Sequence, residues 1–226
     1  MMISLCLLTW NEIEGCRNDV PELPLDLFSE VFALDGGSTD GTVEFLRDRG
    51  VTVVPQRVRS YNAAYREAID HYTGNAIVFY HPKGTVAGGT LPLMVDALEA
   101  GNDLVIASRM LPSSRNEEDD RVIRHRKWFG VGLAQAASLR WKRGGGARVS
   151  DPLHGYRGCS RKFTSSITLQ ATGVTADLEM VRHAYLTGAR IAEVPVSESK
   201  RVQGGTHFPA LSTGRHLMRY LLSPPS

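Results

Sequence analysis

Five short apolar runs divide the first half of the chain: Ile3–Leu8, Val31–Leu34, Val51–Val54, Ala76–Tyr80 and Leu104–Ala107. Their apolar residues are consecutive rather than alternating, the pattern of strands buried on both faces. Between the runs the period changes. Thr42–Arg49, Tyr61–Tyr72 and Leu91–Ala100 space their apolar positions three to four apart, as in Ala64, Ala68, Ile69 and Tyr72. That spacing predicts helices that pack on a sheet along one stripe. Asp40-Gly41-Thr42 reads as a helix start, and Gly50 and Gly101 read as helix stops. Strand, helix and strand in this order predict an α/β fold with a mostly parallel, doubly wound sheet flanked by helices.

The second half is less regular. Ser113–Trp128 is densely charged with both signs and predicts an exposed loop, followed by a helix over Trp128–Trp141. Gly144-Gly145-Gly146 reads as a joint, Ala176–Thr187 as a helix, Ile191–Val196 as a strand, and Pro224-Pro225 as a stop. Leu211–Leu222 sets Leu217, Met218, Leu221 and Leu222 beside His216 and Arg219. Such a segment is either an interfacial helix on a membrane or a buried C-terminal helix. The 226 residues fit one domain, with residues 1–108 as a ligand-binding half, 109–210 as an elaborated half and 211–226 as a C-terminal helix and tail.

Composition narrows the classes. Lys and Arg number 26 against 24 Asp and Glu, too even for a dedicated nucleic-acid binder. The three cysteines, Cys6, Cys16 and Cys159, have neither zinc spacing nor an even count, and suit a reducing cytoplasm. Met1–Leu8 lacks the basic flank of a signal peptide, and no apolar run approaches the ~20 residues of a membrane span. The expectation is a cytoplasmic protein, at most peripheral at a membrane.

Ligands of open α/β sheets bind beyond the carboxyl ends of the strands. Three distinctive segments fall there: Thr9-Trp10-Asn11-Glu12, Asp35-Gly36-Gly37-Ser38-Thr39-Asp40-Gly41-Thr42, and His81-Pro82-Lys83-Gly84-Thr85. In the second, glycines let the backbone approach a ligand, and Asp35 can accept hydrogen bonds from a base or ribose. The same residues also suit a plain strand-to-helix turn capped by Asp40. Dinucleotide, P-loop and zincin motifs are absent. Trp10, Tyr61 and Trp128 can stack on a base or sugar, but core packing is the expectation for each.

In order along the chain, these segments resemble a family 2 glycosyltransferase of the GT-A (Rossmann-like) fold. Asp103–Arg109 is similar to that family's D-x-V-x-G-S-R stretch, and Ser150-Asp151-Pro152-Leu153-His154-Gly155-Tyr156-Arg157 to T-D-x-x-S-G-F-R. Glu193-Val194-Pro195-Val196 and Arg201-Val202-Gln203-Gly204-Gly205-Thr206 resemble segments of the dolichyl-phosphate mannosyltransferase-like branch. The resemblance implies transfer of a sugar, with inversion, from a nucleotide-diphosphate donor such as a UDP- or GDP-sugar. It implies a nucleotide-sugar site at Thr9, Asn11, Glu12, Asp35, Gly37, Ser38, His81 and Lys83. It also implies phosphate- or acceptor-binding roles for Arg109, Arg124, Arg126, Arg157 and Arg201, because an arginine fork meets phosphate oxygens in paired charge-assisted bonds. Arg124 and Arg126 suit a solvated face of the charge run as well.

One departure stands out. The family carries an Asp-x-Asp metal motif after the fourth strand, where this chain has His81-Pro82-Lys83. A protonated Lys does not ligate a cation, so no metal ligands are assigned here and a magnesium or manganese ion is doubted. Lys83 instead can meet the diphosphate itself, or the site is degenerate and silent. Asp151, Lys83 and Arg109 are the expected catalytic residues. Asp151, then His154, is the candidate base if the acceptor is a hydroxyl, whereas a lipid phosphate needs none. Asp177 and Glu179 are expected to be charges at a helix N-terminus. Polyprenyl phosphate is the favoured acceptor. The alternatives are a hydroxyl on a glycan, small molecule or modified nucleic-acid base, or a silent nucleotide-sugar-binding module. A nucleic acid would meet the basic positions around Arg121–Arg148.

Overall fold

A computed structural model describes residues 1–86, 88–116, 118–119, 125–143, 146–199 and 210–223. Arg124, Arg201 and the rest of the Arg201–Thr206 motif, Arg121, Gly144-Gly145 and Pro224-Pro225 lie outside the described residues.

Seven strands form one sheet: β1 (Ile3–Thr9), β2 (Glu30–Asp35), β3 (Thr52–Pro55), β4 (Ala76–Tyr80), β5 (Leu104–Ser108), β6 (Arg157–Ser160) and β7 (Ile191–Pro195). Their spatial order is β3-β2-β1-β4-β6-β5-β7. All pairings are parallel except those of β6, which runs antiparallel between β4 and β5. The helices are α1 (Ile13–Asp19), α2 (Thr42–Arg47), α3 (Tyr61–His71), α4 (Thr90–Glu99), α5 (His125–Trp141), α6 (Arg161–Ser166), α7 (Ala176–Thr187) and α8 (Ala210–Leu222).

The doubly wound arrangement follows from side-chain alternation along the strands. In β1, Ile3, Leu5 and Leu7 join one core, while Cys6 and Leu8 join the other. The first core is closed by Leu46 of α2 and by Leu91, Met94 and Leu98 of α4. The second is closed by Tyr65 and Ala68 of α3, Leu133, Ala137 and Trp141 of α5, and Leu217 and Leu221 of α8. The C-terminal helix is therefore packed on the body through one face, and Leu211, Met218 and Leu222 are left exposed on it. No helix among the described residues is long and apolar enough to cross a membrane. All three cysteines are buried free thiols.

Three predictions need correction. β3 is a half-exposed edge strand, although its apolar run reads as buried on both faces. Trp128 lies 60% exposed at the start of α5 instead of in the core. The helix it was expected to open begins earlier, at His125. Gly50 and Gly101 do end their helices, with φ of +75° and +83°, the left-handed region open to glycine.

Candidate active site

The loops after β1 and β2 are tied to each other by side chains. Thr9 and Asp35 face each other across the two strands. Asp35 accepts four hydrogen bonds: Oδ2 from the hydroxyls of Thr9 (2.9 Å) and Ser38 (2.6 Å), and Oδ1 from the N–H groups of Gly37 (2.9 Å) and Ser38 (2.7 Å). These occupy the roughly four lone-pair sites of a carboxylate. Asn11 Oδ1 accepts from the Thr39 N–H, and Asp40 Oδ2 accepts from the Ile13 N–H at the start of α1. Gly37 takes φ +89° to make the turn. Asp35 is only 3% exposed and does not line the adjoining cavity. Asp35, Asn11, Gly37 and Ser38 shape the loop, while Thr9 and Glu12 face the space beside it.

That space is a cavity of about 220 Å³ at the carboxyl ends of β1, β2 and β4. Trp10 forms a wall of it instead of packing in the core, with the Arg59 guanidinium 4.4 Å from its ring centroid. Gly36 permits this, since a Cβ there would lie 3.3 Å from both Trp10 Cβ and Gln56 Oε1. A flat ring under a cation is a platform suited to stacking a nucleobase.

The loop after β4 is positioned by α1. A Cβ on Gly15 would fall 2.1 Å from the Pro82 carbonyl oxygen, so only glycine lets the loop cross the helix here. Gly84 takes φ +68° and donates its N–H to Asp19 Oδ2 (2.9 Å). His81 is buried, its ring stacked at about 6 Å on those of Tyr61 and Tyr156. Its Nε2 is 3.0 Å from the Tyr65 hydroxyl. Lys83 is half-buried. Lys83, His81 and Tyr61 line the small cavity and also a second, larger one.

The larger cavity, about 580 Å³, lies between the loops after β4 and β5 and helices α5 and α8. Its charged part centres on Arg109. The guanidinium grips Asp151 with two nitrogens (2.7 and 2.9 Å) and reaches Glu198 with a third (3.0 Å). Glu193 holds the same loop by accepting the N–H groups of Ser150 and Asp151. Burial opposes ionisation of Asp151, but Arg109 outweighs it and keeps the carboxyl well below the usual carboxylate range. Buried and paired in this way, Asp151 anchors the Arg109 guanidinium. Glu198 is a wall residue that sequence reasoning missed, because nothing local announces its pairing with Arg109 across 89 positions.

Arg157 lies deeper. It is 0% exposed, with its guanidinium on Asp177 (3.0 Å) and on the carbonyls of His154 and Pro152. Those partners keep it inside the protein. Asp177 in turn accepts from the Tyr61 (2.7 Å) and Tyr65 (3.4 Å) hydroxyls, and Glu179 accepts from Asn62 and Thr175. Both acids lie in the first turn of α7 as expected, but face inward rather than capping it from solvent. Arg126, exposed beside His125 and Lys127, lines the mouth of the cavity. Phe129, Leu211 and Leu217 make it apolar between α5 and α8.

His154 lines this cavity too, buried, and its Nδ1 has no hydrogen-bond partner. Burial, then the nearby Arg109 charge, pull the imidazole down to about 4. A depressed folded value means the neutral ring contributes stability in full above the unfolded value of about 6.5. That contribution is lost as pH falls through about 4, and the window corresponds to about 3 kcal/mol. Urea unfolding at about pH 7.5 and about pH 4.5 is expected to show that loss, and His154→Gln to remove this part of the slope.

A divalent cation does not suit the end of β4. The residues there are an imidazole turned to Tyr65 and an ammonium, where hard cations take oxygen ligands. Among the described residues no three His, Cys, Asp or Glu side chains cluster as a metal site.

The chain is similar to several known proteins. Glycosyltransferase AglJ of Haloferax volcanii is 29% identical over 210 residues, 89% of this chain and 65% of its own. Polyprenol monophosphomannose synthase of Mycolicibacterium smegmatis is 27% identical over 188 residues, 77% of this chain and 68% of its own. The chain thus spans about two thirds of the length of these relatives. Glucosyl-3-phosphoglycerate synthase of Mycobacterium tuberculosis, solved with Mn2+, UDP and phosphoglyceric acid, shares the fold. Its TM-score is 0.74 at 22% identity, covering 100% of this chain and 80% of that one. Residues 4–163, more than half the chain, match the family described as Glycosyl transferase family 2. That span runs from β1 through the strand-end loops to β6, and with it the chain belongs to Glycosyl transferase family 2.

Proposed function

We propose that this chain is an inverting glycosyltransferase that moves a sugar from a UDP- or GDP-sugar to a lipid phosphate, with polyprenyl phosphate as the acceptor. The observation that carries the reading is the wall of Lys83, His81 and Tyr61 shared by the two cavities. A nucleotide over Trp10, beside Thr9 and Glu12, directs its diphosphate and sugar to that wall. An acceptor in the larger cavity then meets the anomeric carbon from the other side. Its phosphate oxygen forms the new bond to that carbon while the bond to the diphosphate breaks. The electron pair leaves on the nucleoside diphosphate, and attack opposite the leaving group inverts the centre.

The state of the acids supports this acceptor class. Asp151 and Glu198 are held by Arg109, and Asp177 by Arg157, so none is poised to deprotonate a hydroxyl. A phosphate monoester is already anionic near neutrality, with a second pKa of about 6, and needs no base. Arg126 and Lys127 at the cavity mouth suit its charge, and Phe129, Leu211 and Leu217 suit an isoprenoid tail. The exposed Leu211, Met218 and Leu222 of α8 would meet the bilayer surface peripherally, from the cytoplasmic side. The named activity of the mycobacterial relative, polyprenol monophosphomannose synthesis, supports the same acceptor class.

The test is transfer from labelled UDP- and GDP-sugars to polyprenyl phosphate in detergent, with free polyprenol, glycans and single-stranded RNA as competing acceptors. Label is expected in the lipid phosphate and in none of the others. A preceding thermal-shift screen finds the donor, since a ligand at a hundredfold excess over Kd adds about 2.7 kcal/mol. Transfer to a hydroxyl or a base would overturn the acceptor. Donor binding without transfer to anything would leave a silent binding module.

A further inference from the structure

We infer that the Lys83 ammonium holds the donor diphosphate directly, in the place where a divalent cation would otherwise stand, so that the donor binds without metal. The inference rests on the donor site proposed above and deepens it.

Three observations support it. First, Lys83 lies at the junction of the two cavities, where a diphosphate between nucleoside and sugar would have to pass. Its charge also reaches the larger cavity: it favours ionisation of Asp177 and Glu198 and disfavours protonation of His154, after burial and other nearby groups. Second, the loop bearing it is fixed by Gly15 against Pro82 and by the Gly84 N–H on Asp19. A preorganised cation in a partly closed cleft stabilises developing charge without reorganising. Third, the acids lining the two cavities do not gather into a metal site among the described residues. Asp177 and Glu198 are ion-paired with arginines, and Glu12 is the one acid among the described residues lining the small cavity. The anionic leaving group gains one negative charge as the glycosidic bond breaks, and one ammonium offsets that one charge.

The test is calorimetric binding of UDP and GDP, with uridine and guanosine as controls, in EDTA and again with Mn2+. At least one diphosphate is expected to bind in EDTA with a Kd within about twofold of that in Mn2+, far below the tenfold that marks 1.4 kcal/mol. Lys83→Met is expected to weaken the diphosphate by about 10–100-fold, as for loss of a charged hydrogen-bond partner, and to leave the nucleoside unchanged. Lys83→Arg is expected to retain most of the affinity. Turnover of Lys83→Met should fall about 100–1000-fold, comparable to losing one preorganised donor. Diphosphate binding that vanishes in EDTA and returns with Mn2+ overturns the inference and leaves the donor site standing. Equal diphosphate affinity in Lys83→Met overturns it as well. If neither UDP nor GDP binds with or without metal, the donor site itself falls, and the inference with it.

Discussion

Arg109→Met is expected to lower the unfolding free energy by about 3–5 kcal/mol at neutral pH, the usual cost of breaking a buried ion pair from one side. The variant leaves Asp151, 1% exposed at its side chain, and Glu198, 15% exposed, without the cation that both hold. The sign of the pH dependence follows. Burial raises both acids, but Arg109 lowers them further, so both have folded values below their unfolded ones. Their contribution is therefore complete above about pH 4, the unfolded carboxylate value, and lost as pH falls through the folded values. Urea unfolding should show the gap between wild type and variant largest at neutral pH and narrowing below about pH 4. Asp151→Asn should couple strongly with Arg109→Met in a double-mutant cycle, since the two act as one unit. If Asp151→Asn instead left stability unchanged and abolished turnover with a shifted pH profile, Asp151 would return to the role of base.

Arg157→Met is expected to cost a similar amount, about 3–5 kcal/mol, for the same reason at a deeper place. Its guanidinium is fully buried and is the counter-charge of Asp177, which also receives two tyrosine hydroxyls. Burial pushes the Asp177 carboxyl up even with Arg157 present, so the variant is expected to take up a proton there. Pairing the change with Asp177→Leu should recover most of the lost stability, because apolar replacement of a whole buried pair is often close to neutral. It should not recover donor binding. Tyr61 would lose the carboxylate to which its hydroxyl donates, and it forms one side of the wall between the cavities. Thermal denaturation and nucleotide titration of the double variant separate these effects. Recovery of both properties would show that the Arg157–Asp177 pair supports packing alone.

The sequence by itself determined the elements whose signal is local. β1, β2, β4 and β5 are legible because a consecutive apolar run has no stable place except between two layers. α3 is legible from its apolar stripe, α2 from its start and stop and α4 from its stop, and the three strand-end segments from their position at the carboxyl edge. The exposed and marginal elements were harder. β6, Arg157-Gly158-Cys159-Ser160, has no apolar run and exists because β4 and β5 offer it two antiparallel partners. α1 is short and owes its place to the β4 loop lying over Gly15. Only the tertiary structure decided what the charged residues do. A carboxylate or guanidinium at a strand end can serve a ligand or another side chain, and the choice depends on what arrives from far along the chain. Asp35 is filled by Thr9 and its own loop, Asp151 by Arg109 across 42 positions, and Arg157 by Asp177. Lys83 reached the junction of both cavities through Gly15 and Asp19, residues that carry no chemistry of their own. Local periodicity reports which face of an element is buried. Ion pairing and cavity shape report distances, and these exist only once the sheet has closed.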